Sequence, residues 1–406
     1  LLSSFWPVRP SVARDLHRPA QGTGGDLMAW RLRFFYCAYF AVTGLMMPYF
    51  PLWLSFRGLD ATGIGIVNGV SSAIRVVAAP VVGAIADRIA DRRRLMQAMA
   101  IVSLLLFGLY ALAEGLWPTL AVMVVIALFW SAVLPLGESY VFAASQRANL
   151  DFSRIRLWGS VAFIAASAIG GVLLDGRSPW MVFWMVGFAM AVLAAAHLTL
   201  PAAPVPPRRI GRMPIRILAT DRLFLLFVAG NGLVQASHSM LYAFATLHWR
   251  SLGIGETEIG LLWAEGVIAE IVLFAFGARV AARLGPHGLM LLGAGAGLVR
   301  WSGAAFATEV WQLALLQLLH GLTFGATYLG QMHFIARAVR PEAAASAQTL
   351  VAAAGAGLAM GGGFLAAGPL YEAFGGGAFL AMALLSLAGG GAGLVLHRRW
   401  GARVVG

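Results

Sequence analysis

Twelve apolar runs, each long enough to cross a lipid bilayer, leave this 406-residue chain little choice of architecture. They lie at about 33–56, 62–86, 95–113, 118–145, 155–174, 179–200, 222–248, 257–281, 287–307, 310–336, 343–370 and 375–397. A helix needs about 20 residues to cross the hydrocarbon core, where no water satisfies backbone N–H and C=O groups. Runs of this length meet that demand as helices. Composition agrees, at 60% hydrophobic and 11% charged with a mean hydropathy of +0.80, against about 45–50% and about 25% for soluble domains. The chain reads as an all-α membrane protein with twelve transmembrane helices.

The longest interruption, PAAPVPPRRIGRMPIRILATDR from Pro201 to Arg222, is rich in proline and arginine and falls between spans six and seven. It divides the chain into a six-helix bundle at 29–200, a cytoplasmic linker at 201–221 and a second six-helix bundle at 222–406. The first 28 residues, with Arg9, Arg14, His17 and Arg18 among Pro, Gly and Ser, contain no apolar run suited to a signal sequence. They read as a disordered extension or a misplaced translation start, since Met28 directly precedes the first span.

Every basic charge is an arginine, because the chain lacks lysine. With a cytoplasmic N-terminus, the inner segments carry 24 of the 29 arginines and the outer ones only Arg57, Arg177 and Arg250. The positive-inside bias therefore puts both termini in the cytoplasm. The net charge of +12 is explained by topology, not by a nucleic-acid partner. Cys37 is the only cysteine, which excludes a disulfide framework and a cysteine metal site. The runs GAGAGL at 293–298 and GAGLAMGGGF at 355–364 sit inside spans, without the strand that a phosphate loop requires, and read as close helix contacts. No nucleophile–base spacing points to an enzyme, and no metal or organic cofactor is expected; a proton gradient is the expected driving force.

Charges inside the spans carry the functional signal, because a charged side chain in hydrocarbon is costly unless paired or facing water. Glu138 in span four and Arg156 at the start of span five flank a short polar turn holding Arg147, Asp151 and Arg154. They either meet across the hairpin and face a polar cavity, or stand as an interfacial carboxylate and a topology charge. Arg75 lies about 13 residues from the outer end of span two, close to mid-depth at ~1.5 Å per residue, where it would bind an anion or neutralise a carboxylate. Tyr36, Tyr39 and Phe40 lie deep enough in span one to line a cavity or to pack against lipid. The second half offers Asn231, Gln235 and His238 in span seven, Glu265 and Glu270 in span eight, Arg300 in span nine, and Gln317 and His320 in span ten. His238 and His320 read as coupling groups or as hydrogen-bonded packing; His197 and His333, near the inner ends, read as packing. Three arginines against three glutamates suit a dry state in which charges pair, and protonation of one glutamate would free an arginine for an anion.

Several stretches carry a family resemblance. Gly83, Asp87 and Arg88, followed by Arg92 to Arg94, resemble the signature loop of the major facilitator superfamily, with Ala90 and Asp91 in place of the usual Gly-Arg. PYFPLW at 48–53, IRLWGSVAF at 155–163, QASHSMLYAF at 235–244, LLWAEGVIAEIVLFAF at 261–276, VRW at 299–301 and LQLLHGLTFG at 316–325 are similar to the 3-phenylpropionate permease group of that superfamily, relatives of lactose permease.

The resemblance implies two pseudo-symmetric six-helix bundles working by alternating access, as a monomer surrounded by lipid in a bacterial inner membrane. It implies a gating role for Gly83, Asp87 and Arg88. It also implies that Glu138 and Arg156, 18 residues apart as in lactose permease, hold a small-molecule substrate, with Phe163 in the stacking position, Tyr39 as a second apolar wall and Arg75 as a further anion site. Glu270, Arg300, His320, His238 and Glu265 would couple transport to protons. Thr323 replaces the lactose permease carboxylate that releases the proton, and Val267 its span-eight carboxylate, so the proton route must differ. The expected function is proton-coupled uptake of a small aromatic acid such as a 3-phenylpropionate-like carboxylate. The alternative is a sugar or nucleoside symporter; drug efflux, which span five disfavours by lacking the antiporter Gly-Pro motif, and a non-transporting sensor rank lower.

Overall fold

The apolar runs fold as expected into helices, and the computed structural model describes them over residues 23–89, 91–201, 215–401 and 404. In chain order they are α1 (Thr23–Phe56), α2 (Ala61–Arg88), α3 (Arg92–Phe107), α4 (Leu116–Trp130), α5 (Val133–Arg147), α6 (Phe152–Leu174), α7 (Trp180–Thr199) and α8 (Ile215–Thr220). There follow α9 (Arg222–Ala236), α10 (Ser239–Ser251), α11 (Glu256–Ala304), α12 (Val310–Leu318), α13 (Thr327–Ala338), α14 (Ala344–Ala352), α15 (Met360–Phe374) and α16 (Phe379–Arg399). α1 already begins at Thr23, inside the stretch expected to be disordered, with Asp26 in its first turn where the helix dipole favours an acid. The rest of the N-terminal stretch and most of the interbundle linker lie outside the described residues.

Among the described residues, ten stretches are long and apolar enough to cross a membrane. Two of them, Glu256–Ala304 and Pro341–Arg399, run to 49 and 59 residues, about 74 and 88 Å at ~1.5 Å per residue, against a hydrocarbon core of about 30 Å. A glycine with positive φ breaks each: Gly285 (φ 64) ahead of Pro286 in α11, and Gly375 (φ 52) after α15. Each stretch therefore has room for two crossings, and ten stretches accommodate the twelve spans. Large apolar side chains such as Leu105, Trp117 and Phe188 remain exposed, as a lipid-facing surface requires.

α6 packs on α11, and α2 on α15. At one end of the molecule these contacts are made by glycines. A Cβ on Gly260 would lie 2.5 Å from the Ser167 carbonyl oxygen, and one on Gly65 would lie 2.6 Å from that of Phe364. Beside each glycine a threonine at a helix start donates across the same junction: Thr257 to Asp175 at 2.7 Å and Thr62 to Glu372 at 2.7 Å. The segments GLDATGIG (58–65) and GIGETEIG (253–260) share the pattern G-[LI]-x-x-T-x-I-G, and both open on a glycine with positive φ, Gly58 at 86° and Gly253 at 84°. This end carries Arg57, Arg177 and Arg250.

At the opposite end, Asp91 caps α3 by accepting from the Arg94 N–H and pairs with the Arg94 side chain at 3.2 Å. That local role accounts for an acid at a position where the superfamily loop usually has arginine. A Cβ on Gly83 would meet nothing within 4 Å, and Arg88 is exposed. The Asp87 side chain lies outside the described residues.

Candidate functional site: an interior chain of charges and phenols

The α5–α6 turn is set by Asp151, which caps α6 by accepting from the Ser153 and Arg154 N–H groups. Asn149 takes a positive φ of 52° to reverse the chain. This hairpin brings Arg156 Nε to 3.3 Å from Glu138 Oε1. Both side chains stay partly accessible, at 31% and 41% exposure, so the pair faces open space and is not sealed in the core. The guanidinium lies over the Phe40 ring at 4.4 Å and within 5.5 Å of the Tyr36 ring. Gly159, one turn beyond Arg156, makes this possible: a Cβ there would lie 2.6 Å from the Phe40 ring. Tyr36 is fully buried and, among the described residues, its hydroxyl has no hydrogen-bond partner.

Tyr39 stacks on Trp130 at 5.3 Å and is within electrostatic reach of Arg75, Glu138 and Arg156. Arg75 is exposed, and among the described residues its hydrogen bond runs to Ser72 on its own helix at 2.8 Å. Phe163 is buried, its backbone pressed against Gly44 of α1. It therefore helps to join α1 to α6, two turns from Arg156.

The second cluster is built differently. Arg300 is 1% exposed, lies over the Trp301 ring at 4.5 Å, and has no carboxylate within 4.0 Å among the described residues. Its Nη1 donates to His320 Nδ1 at 3.0 Å and to Thr323 Oγ1 at 2.9 Å, and its Nη2 donates to Gln317 Oε1. Gln317 is held in turn by the Leu262 carbonyl at 3.0 Å. His238 bonds the Gln235 carbonyl through Nδ1 at 3.1 Å and Thr323 Oγ1 through Nε2 at 3.0 Å. A π-helical segment, Gly321–Ala326, follows His320, and its glycines let it close on α11. A Cβ on Gly321 would lie 2.6 Å from the Ala269 carbonyl oxygen, and one on Gly325 would lie 3.8 Å from Glu270 Cγ.

Glu270 does not join the Arg300 cluster. Among the described residues no hydrogen bond or ion pair reaches its carboxylate, and the cation within its electrostatic reach is Arg156 of α6. Two phenols fill the gaps. Tyr328 is within reach of Glu138, Arg156 and Glu270, and Tyr242 within reach of Glu270 and Arg300. A stack of rings, His320 on Phe324 at 5.6 Å and Phe324 on Tyr328 at 6.3 Å, runs along the same side. Glu265 stands apart, half-buried on α11 with no charged partner among these groups.

Of the residues singled out in the sequence, Tyr39, Arg75, Glu138, Arg156 and Glu270 thus form one connected set, and Arg300, His238 and His320 a second. Tyr242 and Tyr328, which link them, were not singled out; Tyr242 lies inside the QASHSMLYAF stretch and Tyr328 three residues beyond LQLLHGLTFG, so those two stretches were the available signal. Among the described residues no group of three or more His, Cys, Asp or Glu side chains could hold a metal ion.

A lipid-facing helical body with charged groups drawn inward between two sets of helices is the construction of a secondary transporter with the major facilitator fold. The chain belongs to the MFS_1 like family, whose model matches residues 29–381. It is 30% identical over 310 residues to the probable 3-phenylpropionic acid transporter of Escherichia coli (strain K12), covering 74% of this chain and 80% of that protein. It is 24% identical to the raffinose permease of Escherichia coli over 75% of this chain and 77% of that one. The fold is shared with the nucleoside transporter NupG at a TM-score of 0.80 and 18% identity, over 91% of this chain and 99% of that one. The protein is therefore a multi-pass inner-membrane transporter of small molecules and not an enzyme.

Proposed function

We propose that this transporter carries a small aromatic monocarboxylate into the cell together with a proton. The observation that supports this reading is a charge excess. The connected interior groups comprise three guanidinium groups, on Arg75, Arg156 and Arg300, but only two carboxylates, on Glu138 and Glu270. With Glu265 outside the set, the expected balance of three against three becomes an excess of one cation. The excess leaves one guanidinium without a carboxylate of its own, a place that an anion can take and a neutral sugar cannot, while the proton taken up with the anion keeps the net charge as it was. Arg156 is the natural anchor, being accessible and flanked by the half-buried ring of Phe40, which suits an aromatic substrate. The similarity to a probable 3-phenylpropionic acid transporter points the same way.

A sugar or nucleoside symporter is the second reading. It rests on the bonded Glu138–Arg156 pair, which offers an acceptor and donors to hydroxyl groups, and on the raffinose permease relative. Proteoliposomes under an imposed inward proton gradient separate the two. We expect accumulation of 3-phenylpropionate that an uncoupler abolishes, with no accumulation of raffinose or a nucleoside; accumulation of the neutral solutes alone would overturn the acid reading.

A further inference from the structure

The Arg300 cluster constrains where the proton can ride. Arginine only donates, so the bond from Arg300 Nη1 requires a lone pair on His320 Nδ1 and puts the ring proton on Nε2. The Gln235 carbonyl only accepts, so His238 carries its proton on Nδ1. Its Nε2 meets the Thr323 hydroxyl, whose oxygen takes the other Nη1 proton of Arg300 and whose own proton has two acceptors in range, that Nε2 at 3.0 Å and the His320 carbonyl at 3.4 Å. His320 is thereby held neutral in a fixed tautomer. Protonating His320 would break its bond from Arg300, and protonating either ring would set a second buried cation beside Arg300.

Glu270 is in the opposite situation. It is half-buried and, among the described residues, has no bonded partner. The groups facing it are Arg156 on α6, Tyr328 on α13, Tyr242 on α10 and the glycines of the Gly321–Ala326 segment, with Glu138 beyond Arg156.

Resting on the acid-transport reading above, we infer that Glu270 alone carries the coupled proton, that Arg156 is the group through which proton and substrate sense each other, and that His238 and His320 do not titrate during transport. When Glu270 is ionised, a substrate carboxylate at Arg156 is the third negative group around one guanidinium. When Glu270 takes a proton from outer water, that repulsion disappears and the anion is held. Reciprocally, a bound anion makes Glu270 hold its proton. One monoanion and one proton then move together without net charge, and the proton leaves to inner water with the substrate.

The test is proton uptake on ligand binding, read with a pH indicator in lightly buffered, detergent-solubilised full-length protein titrated with 3-phenylpropionate. We expect one proton taken up per ligand bound by the wild type above the Glu270 transition, with affinity falling about tenfold per pH unit there. Glu270→Gln should bind with no proton uptake and a flat pH dependence. His238→Gln and His320→Asn should keep the proton uptake and the midpoint even if their transport is slower; Thr323→Val, which removes the shared hydroxyl without touching either ring, is the substitute if they do not fold. Proton uptake that persists in Glu270→Gln, or that vanishes in a folded histidine variant, overturns the inference. A wild type that binds no 3-phenylpropionate overturns the acid reading itself.

Discussion

Arg156 and Arg300 are the same side chain in the same bilayer, yet their surroundings give them opposite uses. Arg156 has one carboxylate at 3.3 Å, two aromatic faces and 31% exposure. Arg300 is 1% exposed, and three of its five N–H donors end on neutral acceptors, Gln317, Thr323 and His320. An arginine facing open space can exchange partners. One buried among fixed side chains that take its donors is suited to hold its neighbours in place. The difference follows from what stands opposite each: a hairpin carboxylate on α5, as against threonine, glutamine and histidine around the π-helical turn.

The largest effect should come from removing the exchangeable arginine. Arg156→Gln is expected to lower uptake of 3-phenylpropionate at least about a hundredfold, or ~2.8 kcal/mol at about 1.4 kcal/mol per tenfold, while the protein unfolds at nearly the wild-type temperature. Arg300→Met should do the reverse in the first instance. It leaves Gln317 Oε1 and His320 Nδ1 as buried acceptors without a donor, at about 1–3 kcal/mol each, so thermal unfolding in detergent should shift down before any change in ligand affinity is resolved. If Arg300→Met kept its stability and lost anion binding, the two arginines would be equivalent and the contrast would fail.

These two arginines also mark how far the sequence could be read. The 18-residue spacing of Glu138 and Arg156 across a polar turn was legible because a short hairpin leaves two facing side chains little choice. Arg300 and His320 were grouped through the family resemblance, which implied both in one coupling network. The other partners of Arg300 were not legible, because Thr323 and Gln317 read as ordinary residues until the π-helical turn is known to bring them together. The inclusion of Glu265 with Glu270 was avoidable. Five residues along a helix turn through about 140°, so the two carboxylates cannot share a face, and only Glu270 looks across to α6. Phe40 could be placed at cavity depth from its position in span one, but its seat over Arg156 depends on Gly159 in another helix.

Glu138→Gln tests the exchange itself and should have a smaller effect. An acid substrate competes with Glu138 for Arg156, so neutralising Glu138 should leave 3-phenylpropionate affinity unchanged or raise it a few-fold, on the order of 0.5–1 kcal/mol for one charge-assisted bond offset by repulsion. A sugar gripped by both partners would instead lose most of its affinity. Equilibrium binding of each solute to the purified variant distinguishes the two, and a severe loss for the acid would mean that Glu138 holds Arg156 in place and does not compete for it.

The smallest expected effect concerns the paired junctions at the end that carries Arg57, Arg177 and Arg250, where the same comparison can be made between segments that match. Thr62 with Glu372 and Thr257 with Asp175 are equivalent bonds at equivalent helix starts, each next to a glycine pressed on a carbonyl. If both hold that end closed, Thr62→Ala and Thr257→Ala should each weaken closure by about 0.5–1.5 kcal/mol, and the double variant by roughly the sum, since the two sites share no partner. Spin labels on Glu114→Cys and Glu309→Cys in a Cys37→Ser background would read this as a growing population of longer distances, on the order of a few-fold per single variant. Equal shifts from the two threonines would show that the halves contribute alike to closure. A shift from only one would mean that the repeat in sequence and geometry at 58–65 and 253–260 does not extend to energy, and that the asymmetry between Arg156 and Arg300 reaches beyond the interior site.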